Sequence, residues 1–287
     1  FSLRDATATP VAGAVMLDVS GTVATFTPTA DLTRGTMYEV VLTTGLTDLA
    51  GNPLTPAATW TFTTADGPSP VSLGTAAQYV ILARTGITTT GVSDVTGNLG
   101  LSPGVDAVLL GWGQSAATTY STSPMVDGRI YVSTYNAPTP DNLALASSDM
   151  GAAYAAVAAQ GPPDAVGLNA GALGGLTFAP GIYRWNAAAT IATNVTIHGG
   201  PNDVWVFQVN GALAMAASVS VVLTGGASAS NVFWQVNGAI NIGATSHFEG
   251  IALASTAINV GAGSSVNGRL LAQTAVAIDT CDIALEP

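Results

Sequence analysis

The C-terminal third of the chain repeats one short phrase. "FQVNGALAM" (residues 207–215) aligns with "WQVNGAINI" (234–242) at an offset of 27; "GAINIGA" (238–244) aligns with "TAINVGA" (256–262) at 18, and "AINV" (257–260) with "AVAI" (275–278) at 18 again. The longer spacing is the shorter one plus a nine-residue insert, "LTGGASASN" (223–231), with an earlier echo at "TIHGG" (196–200). A unit this short cannot bury an apolar side alone, so it is stable only when stacked on the next. Three short strands per unit with glycines at the corners predict an all-β fold, a β-solenoid of roughly triangular section, with parallel strands about 4.8 Å apart along each face.

Within the repeats Leu213, Ile240, Ile258 and Val276 alternate with small residues: Ala212 and Ala214, Ala239 and Asn241, Ala257 and Asn259, Ala275 and Ala277. That is a strand with one buried and one solvent-facing side. Solvent faces ordinarily carry Lys, Glu and Arg, whereas this one offers methyls and small amides. The scarcity is general: charged residues make up 8% of the chain and hydrophobic ones 48%, against about 25% charged in an average soluble domain. All six cations are Arg, and the net charge of -11 repels nucleic acid and anionic lipid. No apolar run approaches the ~20 residues of a membrane span. Neither nucleic acid nor membrane insertion is therefore expected. The single cysteine, Cys281, excludes an internal disulfide and reads as a small buried residue in the last coil.

A chain of 287 residues is long for one domain, and "TADGPSP" (64–70) has the composition of a linker. This divides the chain into residues 1–66, a linker at 67–70, and residues 71–287. The first part holds three alternating runs, at 23–27, 38–43 and 60–64, separated by turn-rich stretches, as in an antiparallel β-sandwich. "DLAGN" (48–52) reads as a turn, with a weak cation site as the alternative. The opening "FSLRD" has no charged region followed by an apolar one, which reads as a processed or excised form. In the second part "TPDNLALASSDMGAAYAAVAAQGPP" breaks the β pattern: Thr139 as N-cap, Pro140 at the first helical position and Gly161-Pro162 as the stop predict a helix over about 140–160. Leu143, Met150, Tyr154 and Val157 share one side of it and would pack along a solenoid flank.

Groups that could do chemistry are sparse. From residue 190 onward the acids are Asp203, Glu249, Asp279, Asp282 and Glu286, the imidazoles His198 and His247, and the one cation Arg269. His247 and Glu249, two apart, could in principle serve as general acid or metal ligand, but read as a satisfied corner pair. His198 in "IHGG" reads as a turn residue. There is no nucleophile elbow, zinc-protease helix, phosphate loop or EF-hand loop. No enzyme, cofactor or metal is expected. "NVT" (194–196) is a formal glycosylation sequon.

Residues 26–64, with "FTP", "AGN" and "WTFTT" in order, resemble the bacterial Ig-like modules of surface and secreted proteins; such modules begin some strands earlier, so the resemblance implies a sandwich lacking its first strands. "VSLGTAAQYVILARTGITTTGVSDVTGNLGLSPG" (71–104), "DVWVFQVNGAL", "NVFWQVNGA", "TSHFEGIALASTAINV" and "GRLLAQTAVAI" resemble, across essentially all of residues 71–284, the microbial ice-binding proteins of β-solenoid type. The resemblance implies a right-handed, irregular solenoid with one long flanking helix, in which the N-terminal stretch adds a coil beside the C-terminal ones. It also implies adsorption to ice, with freezing-point depression and inhibition of recrystallisation, by an extracellular or surface-attached monomer. The family's ice face often carries T-A/G-x-T/N. Thr85-Gly86-Ile87-Thr88 and Thr256-Ala257-Ile258-Asn259 match in full; Thr274-Ala275-Val276-Ala277 departs at its last position, Gly238-Ala239-Ile240-Asn241 at its first, and Gly211-Ala212-Leu213-Ala214 at both ends. The implied site is Thr85, Gly86, Thr88, Ala212, Ala214, Ala239, Asn241, Thr256, Ala257, Asn259, Thr274, Ala275 and Ala277. Two rival classes stay open: a surface adhesion module for glycans or another protein, and a β-helix lyase or hydrolase. The first would want exposed aromatics, yet Trp205, Phe207 and Trp234 lie in apolar strands; the second would want carboxylates and a cation converging on a groove.

Overall fold

The computed structural model describes residues 1–18, 22–30, 32–33, 35–48, 50–64, 67–115 and 118–285. Leu49 of the expected turn, Ala65 and Asp66 of the expected linker, and the acid Glu286 lie outside the described residues. The chain divides into two compact units, 1–67 and 68–287.

In the first unit, strands Ser2–Arg4, Met37–Leu42 and Ala58–Thr63 form an antiparallel sheet, and Gly13–Leu17 pairs with Ala24–Pro28 as a hairpin. Two of these strands, Ser2–Arg4 and Gly13–Leu17, were not anticipated by the three alternating runs. The core is small: Leu3, Tyr38 and Val40 are buried, with Phe1, Val11, Phe26 and Leu32 packed around them. Asp48 Oδ1 accepts the backbone N–H of Ala50 and of Asn52, and its Oδ2 accepts the Asn52 side-chain amide, each at 2.9 Å. These bonds hold the carboxyl below its ordinary pKa, that from the Asn52 side chain most strongly.

The second unit is mostly β with one helix. Its strands fall into three ladders, parallel except where Ser121–Ser123 pairs antiparallel with Val126–Val132, and their inner side chains merge into a single apolar core. One ladder contains, in spatial order, Leu109–Leu110, Gly86–Thr90, Ala275–Asp279, Ile258–Val260, Ile240–Ile242, Leu213–Met215 and Ala189–Ile191. A second includes Gly181–Trp185, Trp205–Val209, Val232–Val236 and Tyr79–Ala83, and carries the helix Thr139–Ala159. The third includes Thr177–Phe178, Val195–His198 and Val221–Thr224. The long strands His247–Ala254 and Ser265–Ala272 belong to the second ladder, an isolated bridge from His247 to Ser220 links them to the third, and their Gly250 and Gly268 are in register. Their φ values of +115° and +146° suit glycine, and a Cβ on Gly250 would meet the Val232 carbonyl at 2.7 Å.

The sequence offsets reappear as strand register. The 27-residue coil pairs Phe207 with Trp234, and the 18-residue coils pair Asn241 with Asn259 and Asn259 with Ala277. Inside, Phe207 stacks on Trp234 with ring centroids 4.0 Å apart, an arrangement that register imposes on successive aromatics. Trp205, Phe207 and Trp234 are fully buried. The first coil of the unit joins the last: Leu270, Leu271 and Ala272 pair with Ile81, Leu82 and Ala83, and Ala275 through Asp279 with Gly86 through Thr90.

The helix buries Leu143, Ala146, Met150, Ala153 and Val157 against Leu82, Ile182, Val206, Phe233, Ile251 and Leu253. Strands covered on both sides read as continuous apolar runs, which explains "VWVFQV" and "VFWQV". Tyr154 is only half-buried, at the edge of that contact. Thr139 does not cap the helix. Pro138 occupies the cap position without a side-chain bond, and the Thr139 hydroxyl donates to the Thr119 carbonyl at 2.6 Å. His198 is likewise no turn residue: it ends the strand Val195–His198, its Nδ1 3.0 Å from Thr224 Oγ1.

Candidate functional site

The ladder of seven strands is not covered by the helix, which packs on the second ladder instead. Inward, Ile87, Val276, Ile258 and Ile240 are fully buried, and Leu213 and Ala189 nearly so. Outward, one residue per strand forms an uninterrupted row: Leu110, Thr88, Ala277, Asn259, Asn241, Ala214 and Thr190, each in register with the next. Six intervals of ~4.8 Å make the row about 29 Å long. Asn259 Nδ2 donates to Asn241 Oδ1 at 2.8 Å, so the two amides are oriented by each other as well as by their backbones.

A second row runs beside it. Ala275 is in register with Gly86, and Ala257, Ala239 and Ala212 lie in sequence on the neighbouring strands, the carbonyls of all three accepting ladder N–H bonds from Ile240, Leu213 and Ala189. Thr85, Thr256 and Thr274 precede their strands by one to two residues and stand at the corner: Thr85 and Thr256 are exposed, Thr274 half-buried. The expected site residues thus converge on one ladder and its margin, with one correction. Gly86 is buried, because the segment entering Leu109–Leu110 lies over it and brings the Val108 carbonyl within 3.3 Å of where a Cβ would stand.

The sequence reading missed the row's two ends. Thr190 closes Ala187-Ala188-Ala189-Thr190, in register with Gly211-Ala212-Leu213-Ala214 and departing from T-A/G-x-T/N only at its first position, a signal outside the repeated phrases, and Leu110 reaches the ladder from outside the repeats. A third row adds a titratable group to this surface. Asp279 is in register with Thr90, in line with Gly261, Gly243 and Ala216, which follow the paired residues Val260, Ile242 and Met215. Its Oδ1 accepts a hydrogen bond from Thr280 Oγ1 at 3.0 Å. The expectation of a wholly uncharged face is corrected at this position, where the strand Ala275–Asp279 stays paired with Gly86–Thr90 one residue beyond its last pair with Ile258–Val260.

The remaining candidates for chemistry are tied into structure. His247 Nε2 lies 2.8 Å from Glu249 Oε1, Asn267 Nδ2 donates to Glu249 Oε2 at 2.7 Å, and Ser265 Oγ lies 2.7 Å from His247 Nδ1. Glu249 is buried with both oxygens engaged. Cys281 is buried, and burial pushes its thiol above the ordinary pKa, which disfavours the reactive thiolate. Among the described residues no group of three or more His, Cys, Asp or Glu side chains is placed to hold a metal, and no helix is long and apolar enough to cross a membrane.

Such a surface suits ordered water. It is regular, backed by close-packed side chains, and uncharged along its central row, with methyls between amides and hydroxyls. The profile of ice-binding-like proteins matches residues 81–284. The chain belongs to the ice-binding-like family. Residues 1–64 match a bacterial Ig-like domain. Among relatives, an ice-binding protein of Typhula ishikariensis is 45% identical over 194 residues, 67% of this chain and 80% of that protein. One from Colwellia sp. is 44% identical over 198 residues, 67% of this chain and 74% of that protein. The solved structure of an ice-binding protein from an Arctic yeast, described for its antifreeze activity, superposes with a TM-score of 0.74 at 39% identity, covering 76% of this chain and 95% of that one.

Proposed function

We propose that the protein adsorbs to ice through its seven-stranded ladder, with Thr88, Ala277, Asn259, Asn241, Ala214 and Thr190 as the central row. Ala275, Ala257, Ala239 and Ala212 flank that row, and Thr85, Thr256 and Thr274 form the margin. The reading rests on one observation above all: an outward row of seven residues in register without a single charge. Ice presents no charge to bind, only a lattice of water, and a Lys or Glu in this row would keep its own hydration shell against that lattice. Relatives named as ice-binding proteins support the same activity. In this reading the second unit is a right-handed solenoid of triangular section with the three ladders as its sides, acting as a monomer outside the cell.

The test is a matched pair of substitutions. Asn241→Tyr raises a ring from the middle of the row, whereas Ser220→Tyr places the same bulk on the third ladder, where Ser220 bridges to His247. Asn241→Tyr is expected to abolish most thermal hysteresis and crystal shaping in a cooled nanolitre droplet, and Ser220→Tyr to keep both. The reverse outcome assigns ice binding to another face.

A further inference from the structure

A groove of ≈ 420 Å³ runs between the C-terminal part of the helix and the second ladder, lined chiefly by Tyr154, Arg184, Gln208, Asn210, Gln235 and Asn237. Its amides are delivered one pair per coil. Gln208 is in register with Gln235, and Asn210 and Asn237, two residues on, are joined by a 2.8 Å bond from Asn237 Nδ2 to Asn210 Oδ1. Gln208 is fully engaged: its Nε2 donates to the Val157 and Gln160 carbonyls at 2.7 and 2.9 Å, and its Oε1 accepts from Arg184 Nε at 2.7 Å. Arg184 Nη2 is turned to the Gln160 carbonyl at 3.3 Å.

Gln235 differs from its neighbour. It is only 6% exposed, its side-chain amide makes no hydrogen bond to another described residue, and that amide opens on the groove rather than being sealed from water. An amide without a bond inside the protein that opens on a groove is free to exchange water for the donor and acceptor of a ligand. The groove states the chemistry of that partner. An amide offers a donor and an acceptor side by side, which matches a hydroxyl, itself both donor and acceptor. No carboxylate lines the groove, and the guanidinium of Arg184 is already directed at protein oxygens. The half-buried ring of Tyr154 supplies an apolar wall for C–H faces.

We infer that this groove is a binding site for a neutral saccharide, with Gln235, Asn210 and Asn237 as its hydrogen-bonding residues and Tyr154 as its stacking wall. Asn210 and Asn237 stand three residues before Leu213 and Ile240 of the bare ladder, so a bound sugar lies along the margin of the proposed ice face and leaves its central row free. The site is therefore independent of ice binding and would let one molecule engage both a hydroxylated polymer and ice.

The test uses the full chain labelled with ¹⁵N and titrated separately with cellotriose, maltotriose and triacetylchitotriose, with glycerol as the control polyol. At least one trisaccharide is expected to shift the side-chain amide signals of Gln235, Asn210 and Asn237 saturably in the millimolar range. Gln235→Leu, and the exposed Asn237→Ala should the first variant fold poorly, should weaken that binding about tenfold, as loss of a hydrogen bond or two implies. Thermal hysteresis should stay unchanged in both. The site is overturned if no trisaccharide moves these signals, if glycerol moves them equally, or if the folded variants bind as the parent does. Loss of ice activity in the parent would strike the ice reading alone.

Discussion

Ile258 and Asn259 are adjacent in sequence and face opposite ways, and their tasks divide accordingly. Ile258 is fully enclosed in the core that stiffens the ladder, so Ile258→Ala should lower unfolding free energy by ~2–5 kcal/mol through the cavity it leaves, measured by chemical denaturation. Asn259 points outward, where substitution ordinarily changes stability by no more than ~0.5 kcal/mol. Stability and ice adsorption are thus separable at neighbouring positions. Asp279 tests the same logic in the other direction. It is in line with glycines and alanine on a surface otherwise built without charge, and a carboxylate competes with the lattice for water. Asp279→Asn keeps the shape and an acceptor oxygen while removing the charge. The variant should show thermal hysteresis raised about twofold, the factor that ~0.5 kcal/mol makes, and a flatter dependence on salt. Unchanged hysteresis and unchanged salt response would mean that the crystal does not reach the third row.

The helix is fastened to the ladders at one point by a carboxylate outside the repeats. Asp149 Oδ2 accepts both the backbone N–H and the hydroxyl of Thr75 at 2.7 Å, pinning the short turn Gly74–Gln78 that leads into Tyr79–Ala83. Gly74 sits at φ +53°, and a Cβ there would collide with that carboxylate. The backbone bond from Thr75, then its hydroxyl, hold the Asp149 pKa below the ordinary value of 3.8. A carboxyl whose pKa falls on folding adds stability that is complete above 3.8 and is lost as pH drops through the lower, folded value. Asp149→Asn should therefore melt below the parent at neutral pH, with the gap in Tm closing in acid below that range; a constant gap would mean the strap does not depend on charge. This strap was invisible in the sequence, because Thr75 and Asp149 belong to no repeat. What the repeats carried was parity and period: that Ile240, Ile258 and Val276 point in, that Asn241, Asn259 and Ala277 point out, and that they stack. They could not say which strand closes the row, since Thr190 stands outside the repeated phrases and Leu110 arrives from a non-repeating loop, and only overall resemblance placed the coil of Gly86–Thr90 beside Ala275–Asp279. The cap at Thr139 failed for a tertiary reason: the Thr119 carbonyl claims its hydroxyl.

At the scale of the whole molecule the two units differ in how well each encloses its own apolar surface. The second surrounds three ladders' worth of side chains with a continuous core, helix included. The first buries few, and leaves Met16 67% exposed, Leu17 64% and Trp60 50%, on a hairpin and on an edge strand of a three-stranded sheet. Exposed strand edges with apolar side chains invite pairing with other chains. Every residue of the proposed ice face, every coil that stiffens it and the strap from Thr75 to Asp149 belong to residues 68–287, so that segment should fold by itself. Expressed alone, it should keep the full chain's thermal hysteresis per mole, with an unchanged melting transition for the ladders and less self-association in sedimentation. Residues 1–67 expressed alone should associate. If the 68–287 segment instead folds, by the same melting transition, yet loses most of its hysteresis, then the Ig-like unit contributes to the contact with ice and the bare ladder is only part of the binding surface.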